Sequence, residues 1–448
     1  MNIRVPENVE NIIHTLMNNG HDAYAVGGCV RDTILLREPE DWDITTSAKP
    51  VEVKNIFHRT IDTGIKHGTV TVMIDKEGYE VTTYRIDGEY EDNRHPKEVE
   101  FTNNLIEDLK RRDFTINAMA YNPTKGLVDE FDGIGDINRK CIRCVGNPMD
   151  RFEEDALRIL RAIRFSAQLG FDIEEETRVA IKKKAKNLKN ISAERIRVEL
   201  EKLLISNQPE KIMIAYETGI TKVVLPEFDV LFDTAQNSPF HIYNVGEHTI
   251  EAVKAARNLP ILRLTMLLHD IGKPLTKTTD ENHIDHFYQH AGQSVAMAKV
   301  ILKRLKYDNY TVDYVTRLIK WHDTEFRLTP SGMRKAINRI GEDIMELLFE
   351  VMEADNKAKN PSIYDEKKKQ LEEAKKLFHE VIAKNECVNL KTLNLNGNDL
   401  IKLGYKPGKQ LGEVLNYLLQ EVIEEPSLNE RSKLVELALK IKEKEMYK

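Results

Sequence analysis

The sequence predicts a small α/β domain with a mixed or antiparallel sheet and flanking helices, followed by an elongated, mainly α-helical remainder. Three observations lead there. Two runs rich in β-branched residues, GTVTVMI at 68–74 and YEVTTYR at 79–85, flank a DKEG turn and read as a hairpin. Beyond Pro148 apolar residues recur at helical spacing almost without relief. At 448 residues, with 41% hydrophobic and 31% charged side chains, the chain suits two to four surface-rich domains better than one large globule.

Taken in order, Pro6 opens a helical pattern through Val9, Ile12, Ile13 and Leu16, closed by Asn18-Asn19-Gly20. A short apolar run then ends in Gly27-Gly28 and turns into a helix carrying Arg31 and Asp32. After a loop with Pro39 the chain returns extended through Asp41-Trp42-Asp43-Ile44. Strand alternation puts Asp41 and Asp43 on one side, Trp42 and Ile44 on the other. Residues 50–57 read as a short helix. In the hairpin, Glu80 either supplies a third carboxylate or sits as a solvated strand residue. Periodicity fails over 87–110, which is polar, charged and broken by Pro96; this is a disordered excursion or a mobile element near a site. RRDFTINAMAYN (111–122) and a turn-rich stretch at 129–136 follow. In PMDRFEEDALRILRAIRFSAQLGF, one stripe holds Phe152, Ala156, Ile159, Leu160 and Ile163, while Asp155 and Arg158, three apart, are neighbours on another face. Residues 182–189 are strongly basic, and ISAERIRVELEKLL presents Arg195 with Glu199. Histidines are regularly spaced over 239–360. The last stretch begins with a lysine-rich helix and continues through helices flanking KLGYKPGKQLG.

A net charge of −7 removes the argument for nucleic-acid binding from global charge but leaves room for a local basic groove. Of four cysteines, Cys141-x-x-Cys144 lacks the second pair of a four-thiolate zinc site, and the chain reads as reduced and intracellular. MNIRVPENVENII has no signal-peptide core and no apolar run reaches transmembrane length, so the expected setting is cytoplasmic, away from membranes.

Two groups of residues carry chemistry. Asp41 and Asp43 on one side of a strand repel each other, a conflict that a hard cation such as Mg²⁺ removes. Gly27-Gly28 lets phosphate approach backbone amides at a helix start. Arg111 and Arg112, preceding Asp113, add local positive charge. Together these residues make a candidate nucleotide–metal site for phosphoryl transfer; singly, each reads as an acidic edge or a surface ion pair. The second group is His248, His269-Asp270, His290, His322-Asp323 and Asp355, denser than core histidines require. Imidazoles and carboxylates ligate Mn²⁺, Fe²⁺, Zn²⁺ or Ni²⁺, and LLHDIGKP places His269 and Asp270 where an apolar helix ends.

GGCVRD, EDWDITTSA, RRDFTINAMA and EEDALRILRAIRF, in that order over roughly residues 26–200, resemble the class II tRNA nucleotidyltransferase and poly(A) polymerase family, whose bacterial members are mostly CCA-adding enzymes. The resemblance implies a nucleotidyltransferase head (1–140), a helical neck that selects nucleotides (141–238), a third domain (239–360) and a helical, tRNA-binding tail (361–448). It implies that Asp41 and Asp43 ligate two Mg²⁺ ions, one acting on the 3′-hydroxyl of tRNA and one on the leaving pyrophosphate. Gly27, Gly28, Arg31 and Asp32 would shape the triphosphate pocket, and Arg111, Arg112, Asp113 and Asn117 would meet the incoming nucleotide. Asp155 and Arg158 would read the base, one accepting and one donating hydrogen bonds; Arg161 and Arg195 would support pocket and helix. The implied partners are the tRNA 3′ end, CTP and ATP, with the chain a monomer or weak homodimer. Arg85, Tyr90, Arg94 and Pro96 match the flexible loop of full CCA addition, which argues against a CC-only product; a poly(A) polymerase or A-adding enzyme is the alternative product reading. Residues 182–189 would touch tRNA phosphates or form a solvated lysine face, and GKQLG would face phosphate or merely connect helices.

HTIEAV, LLHDIGKP, YQHAGQS, IKWHD and MEADNKAK resemble the His-Asp (HD) metal-dependent phosphohydrolase superfamily. That places His248, His269, Asp270 and Asp355 on a principal metal (Mn, Fe, Ni, Zn or Mg), with His290 and His322 on a second metal or the phosphate. His241 rivals His248 by position. The implied activity trims phosphate esters, including cyclic ones, from damaged RNA ends; the opposing reading is an RNA-binding or repair scaffold with one inactive centre.

Overall fold

β-Branched alternation produces the expected sheet. The computed structural model describes residues 3–88 and 99–446, and the chain divides into two compact units, Met1–Asp229 and Val230–Lys448. In the first, β1 (Ala23–Val26), β2 (Ile44–Thr46), β3 (Thr60–Gly64), β4 (Thr69–Ile74), β5 (Glu77–Thr83), β6 (Ala120–Asn122) and β7 (Gly126–Val128) form a seven-stranded sheet in the order β3-β4-β5-β2-β1-β6-β7. Only β2 and β5 run parallel, so the sheet is mixed. Ile74 pairs with Glu77, which tightens the β4–β5 connection to Asp75-Lys76 rather than DKEG. Both residues have positive φ, 48° and 78°, as a type I′ turn requires.

Helix α1 (Glu7–Asn18) buries Val9, Ile12, Ile13 and Leu16 as its pattern predicts. Next come α2 (Gly28–Ile34), α3 (Pro50–Ile56), α4 (Leu105–Lys110) and α5 (Gly133–Arg139). Residues 99–110 hold more structure than their sequence suggested. Val99–Phe101 pairs with Arg85–Asp87, and α4 is capped by Asn104 Oδ1, which accepts from the Ile106 amide at 2.9 Å. The cap and the acidic first turn were there to be read, but a six-residue helix is too short to show a period. Tyr90, Arg94 and Pro96 lie outside the described residues.

Beyond Pro148 the single helical stripe breaks into α6 (Pro148–Glu154) and α7 (Leu157–Leu169). Asp155 is extended (φ −133°, ψ 104°), and its Oδ1 accepts from the Leu157 amide at 3.0 Å, so it starts α7 instead of continuing α6. All five stripe residues are nonetheless buried. Helices α8 (Glu175–Lys184) and α9 (Ala193–Leu204) follow, then α10 (Ile212–Glu217), α11 (Thr221–Val224) and α12 (Pro226–Asp229).

The second unit is nearly all helical: α13 (Val245–Ala255), α14 (Pro260–Leu268), α15 (Lys273–Thr276), α16 (His290–Arg304), α17 (Asn309–Trp321), α18 (Pro330–Ile340), α19 (Glu342–Lys357), α20 (Pro361–Ala383), α21 (Gly397–Lys402), α22 (Lys409–Glu424) and α23 (Arg431–Met446). Leu262, Leu264, Met266, Leu267 and Leu268 bury α14 in its centre, which fixes the residues just after it. Leu400, Tyr405, Leu418, Val422 and Leu434 pack a separate core toward the carboxyl end. Buried Arg334 ties that core to α18, donating to the Ile423 carbonyl (2.6 Å) and to Glu386 (2.7 Å). Gly408 precedes α22, and residues 409–412 form its first turn. Among the described residues no helix is long and apolar enough to cross a membrane.

Candidate functional sites

In the first unit the sheet centre presents the acidic residues. Asp43 sits one residue before β2, its carbonyl accepting from the Val26 amide at 3.0 Å, so ladder bonding reaches it; exposed Asp41 lies just outside. Burial, then the charge of Asp41, then Glu80 on β5, push the Asp43 carboxyl up to about 6, against the pull of Arg112. Three carboxylates thus share one field, and a cation of the hard, oxygen-seeking kind relieves it.

Around them the glycine turn and the arginines interlock. Gly27 has φ 84°, which favours glycine, and a Cβ there would stand 3.0 Å from Arg112 Nη1, close enough that the guanidinium would have to shift. Arg31 pairs with Asp32 through two bonds (3.0 and 2.7 Å) and donates Nη1 to Asn117 Oδ1 at 2.6 Å. Asn117 in turn donates to Asp113 Oδ1 (3.1 Å), and Arg161 Nε donates to Asp113 Oδ2 (2.7 Å). Burial opposes the ionised Asp113, but Arg161, Asn117 and Arg158 hold its carboxyl well below the usual range. The chain of contacts continues from Arg161 to Glu199 (3.9 Å) and from Glu199 to Arg164 (2.5 Å). The Phe165 ring lies 3.8 Å from Arg164, 5.0 Å from Arg31 and 5.3 Å from Arg161, cation–π contacts that ease three like charges together.

Asp155 and Arg158 are not an ion pair. The extended conformation at Asp155 removes it from the helical i,i+3 relation, and its partner is Arg195 (2.9 Å). Arg158 instead meets Glu154 (2.7 Å) and donates Nη2 to the Arg111 carbonyl (2.8 Å). Both still border the network, since the charge of Arg158 acts on Asp113 and that of Asp155 on Arg161. Two acidic residues escaped the sequence reading. Fully buried Asp108 accepts from Arg111 (3.0 and 2.7 Å), Arg112 (3.4 Å) and Thr45 (3.2 Å), and Glu154 holds both Arg151 and Arg158. Their i,i+3 and i,i+4 spacing from those arginines was the available signal.

In the second unit six residues with metal-binding side chains converge from five places along the chain. His248 on α13, His269 and Asp270 after α14, His290 at the start of α16, His322 after α17 and Asp355 on α19 are all buried. Their side chains form two overlapping groups, His248/His269/Asp270 and Asp270/His290/His322. Asp270 joins them: Oδ2 lies 3.5 and 3.2 Å from the Nε2 atoms of His248 and His269, and Oδ1 lies 3.4 and 3.7 Å from those of His290 and His322. Asp355 Oδ1 stands 3.0 Å from His248 Nε2 and 3.5 Å from His269 Nε2.

Every imidazole is tethered from behind. Nδ1 donates to a backbone carbonyl in each: Ala358 for His248 (3.1 Å), Met266 for His269 (2.8 Å), Phe287 for His290 (2.9 Å) and Ile319 for His322 (2.7 Å). Nε2 of each ring therefore faces another imidazole or a carboxylate, and either a proton, as on His269, or a divalent cation satisfies that arrangement. Neither Asp270 oxygen has a partner with hydrogen-bond geometry, although Lys273 Nζ lies 2.7 Å from Oδ2. Against the effect of burial, Asp270 and Asp355 push His269 up to about 9, drawing a positive charge to the same point. The donor set fits a divalent metal. Sequence reasoning missed Lys273 and Lys359, which neutralise Asp270 and Asp355 from i+3 and i+4. His241 stays outside the cluster: Nδ1 is 2.9 Å from Ser238 Oγ, and its ring packs edge-on to His248.

Family models extend along most of the chain. A poly A polymerase head domain matches residues 23–143, a "Probable RNA and SrmB- binding site of polymerase A" matches 170–232, and a tRNA nucleotidyltransferase domain 2 matches 275–438. The CCA-adding enzyme of Levilactobacillus brevis is 35% identical over 430 residues, 95% of either chain; that of Ligilactobacillus salivarius is 35% identical over 97% of this chain and 96% of its own. The Bacillus velezensis enzyme is 53% identical over 210 residues, 47% of this chain and 53% of its own. The solved structure of the Bacillus stearothermophilus CCA-adding enzyme in complex with CTP matches with a TM-score of 0.72 and 28% identity over 98% of both chains. With head, helical region and tail all matched along nearly the whole length of such relatives, the chain belongs to the CCA-adding enzyme family of class II nucleotidyltransferases.

Proposed function

We propose that this protein adds C, C and A to the 3′ end of tRNA from CTP and ATP, without a nucleic-acid template, releasing pyrophosphate. The observation that carries the reading is end-to-end similarity to CCA-adding enzymes, 35% identity over 95% of the chain. Asp41 and Asp43 would hold Mg²⁺. The chemistry supplied there would be a lowered pKa for the attacking hydroxyl and a balancing charge for the triphosphate. The Gly27-Gly28 turn leaves room for phosphate beside Arg112, and Arg31, Asp32, Arg111, Asp113 and Asn117 position the nucleotide. Asp155 and Arg158 present an acceptor and a donor to the base edge, their orientation set by Arg195, Glu154 and the Arg111 carbonyl. The functional parts would be 1–140, 141–238, 239–360 and 361–448. The exposed lysines among 182–189 would meet tRNA phosphates, and the setting would be cytoplasmic. Purified protein incubated with tRNA lacking its 3′ CCA, with each nucleotide alone and both together, should stop at CCA when the ends are sequenced. An open-ended A tail would establish the poly(A) polymerase reading, and no incorporation of C would remove the proposal.

The tethered imidazoles favour a second activity. In it, His248, His269, Asp270 and Asp355 hold one divalent metal (Mn, Fe, Ni, Zn or Mg), and Asp270, His290 and His322 hold another. Such an ion supplies water activated for attack on phosphorus, while Lys273 and Lys359 offset the charge of Asp270, Asp355 and the ester. Trimming a 2′,3′-cyclic or terminal phosphate would return a hydroxyl to damaged RNA ends for extension. His269→Ala should abolish hydrolysis and spare nucleotide addition, and Asp41→Ala should do the reverse. If either variant loses both activities, the two centres are not separate.

A further inference from the structure

We propose that the pocket beside the metal cluster of the second unit contains a stacking subsite for a nucleobase, formed by Tyr288 with Phe240. The ester handled there is then borne by a nucleoside. This rests on the hydrolase reading and specifies its substrate class.

The pocket, about 490 Å³, is lined by Asp270, His290 and His322 of the cluster together with Phe240 and Tyr288. Both rings are large and apolar, yet Tyr288 is 71% exposed and Phe240 53%. Tyr288 is held in place. Its ring is stacked on the His286 imidazole, centroids 5.4 Å apart and planes 8° from parallel. His286 Nε2 lies 3.0 Å from Asp280 Oδ2. The strand carrying His286 (Asp285–His286) pairs with Thr278–Thr279, and Asp285 accepts from the Asn237 amide (2.8 Å) while Lys277 Nζ sits 2.8 Å away. From Tyr288 the chain reaches the ligand His290 through Gln289 alone, whose φ of 61° makes the sharp turn. The aromatic face is therefore fixed two residues from the cluster.

Lys273 completes the arrangement. Its Nζ lies 2.7 Å from Asp270 and 5.1 Å from the Phe287 ring, and it lines the same pocket, a positive charge beside the cluster for the ester. A site for free phosphate or a bare sugar phosphate gains nothing from exposed, oriented rings. A base does, because every base offers a π-face and stacking tolerates any sequence. A damaged RNA end supplies this chemistry: a phosphate ester with a base one sugar away.

The test uses the full chain with Mn²⁺ and two esters. One is 2-aminopurine riboside 3′-monophosphate, whose emission is quenched by stacking; the other is ribose 5-phosphate, which has no base. The wild-type chain should quench the probe. Tyr288→Ala should weaken that binding roughly tenfold and lower the ratio of kcat/KM for the nucleotide over ribose 5-phosphate by a similar factor, through KM. Tyr288→Trp should restore both. The proposal is overturned if Tyr288→Ala quenches like wild type, or if both esters lose turnover together. If neither ester is hydrolysed while Tyr288-dependent quenching persists, the hydrolase reading falls and the stacking subsite stands. If both are hydrolysed with no dependence on Tyr288, the reverse holds, and the exposed rings serve another partner.

Discussion

Asp113→Asn removes one charge from the centre of the first unit's network and leaves its shape unchanged. Asp113 Oδ1 accepts from the Phe114 amide (2.8 Å) and from Asn117 (3.1 Å), bonds that the Oδ1 of asparagine keeps. Oδ2 faces Arg161 Nε alone, at 2.7 Å. Asparagine would turn an NH₂ toward that guanidinium, donor against donor. Orphaning a fully buried charge costs about 3–5 kcal/mol. Here the side chain of Arg161 is 34% exposed and Glu199 remains 3.9 Å away, which reduces the expected loss to about 2–3 kcal/mol.

The two tryptophans make this measurable, since Trp42 lies in the first unit and Trp321 in the second. In a Trp321→Phe background, urea unfolding followed by Trp42 fluorescence reports the first unit alone. Asp113→Asn, Arg161→Met and the double variant should close a cycle with a coupling of about 1.5 kcal/mol or more; a coupling within about 0.5 kcal/mol would refute the reasoning. Because the folded carboxyl is depressed, its stabilisation is fully present above the unfolded pKa near 4 and is lost as pH falls toward the folded value. The gap between wild type and Asp113→Asn should therefore be constant above about pH 5 and shrink below about pH 4; a gap that widens in acid contradicts the assignment.

Gly27→Ala should destabilise the same transition by about 1–3 kcal/mol and raise KM for both nucleotides. Gly126→Ala, at the matching φ of 85° with nothing near its Cβ, isolates the crowding of Arg112; equal behaviour of the two would remove that contribution. Asp270→Asn takes the shared carboxylate from both halves of the second cluster, so the transition-metal content per chain should fall well below that of wild type, while Asp323→Asn, exposed and outside both groups, keeps the wild-type content. Glu154→Gln frees one anchor of Arg158 while the Arg111 carbonyl remains. Misincorporation of UTP and GTP should rise severalfold, and unchanged fidelity would mean that Glu154 does not orient the base-reading guanidinium.

What could be read from the sequence was whatever a side chain announces by type and spacing. The β4–β5 hairpin, α1, the electrostatic coupling of Asp41 with Asp43 and the gathering of the histidines with Asp270 all fall in that class. What could not be read depends on a backbone choice or on a distant partner. Asp155 looks like a helical neighbour of Arg158 until its side chain caps α7, and Arg195, forty residues away, then becomes its partner. Asp108 looks like any acidic residue of a short helix, yet it is the buried anchor of both arginines of the RRD motif. The Nδ1–carbonyl tethers are invisible because a carbonyl belongs to every residue.

These hidden contacts also separate the two centres in kind. In the second unit the backbone orients the imidazoles before any ion arrives, so binding metal requires little rearrangement. In the first unit the cationic residues rest on carboxylates of the protein itself: Arg31 on Asp32 and Arg111 on Asp108. A phosphate must displace or share those partners to engage the guanidinium groups. A singly charged anion offers no more than the resident carboxylate, whereas a triphosphate offers several charges and bidentate oxygens at once. Self-pairing of this kind would set a threshold that favours nucleoside triphosphates over monophosphates, ahead of the base recognition proposed for Asp155 and Arg158.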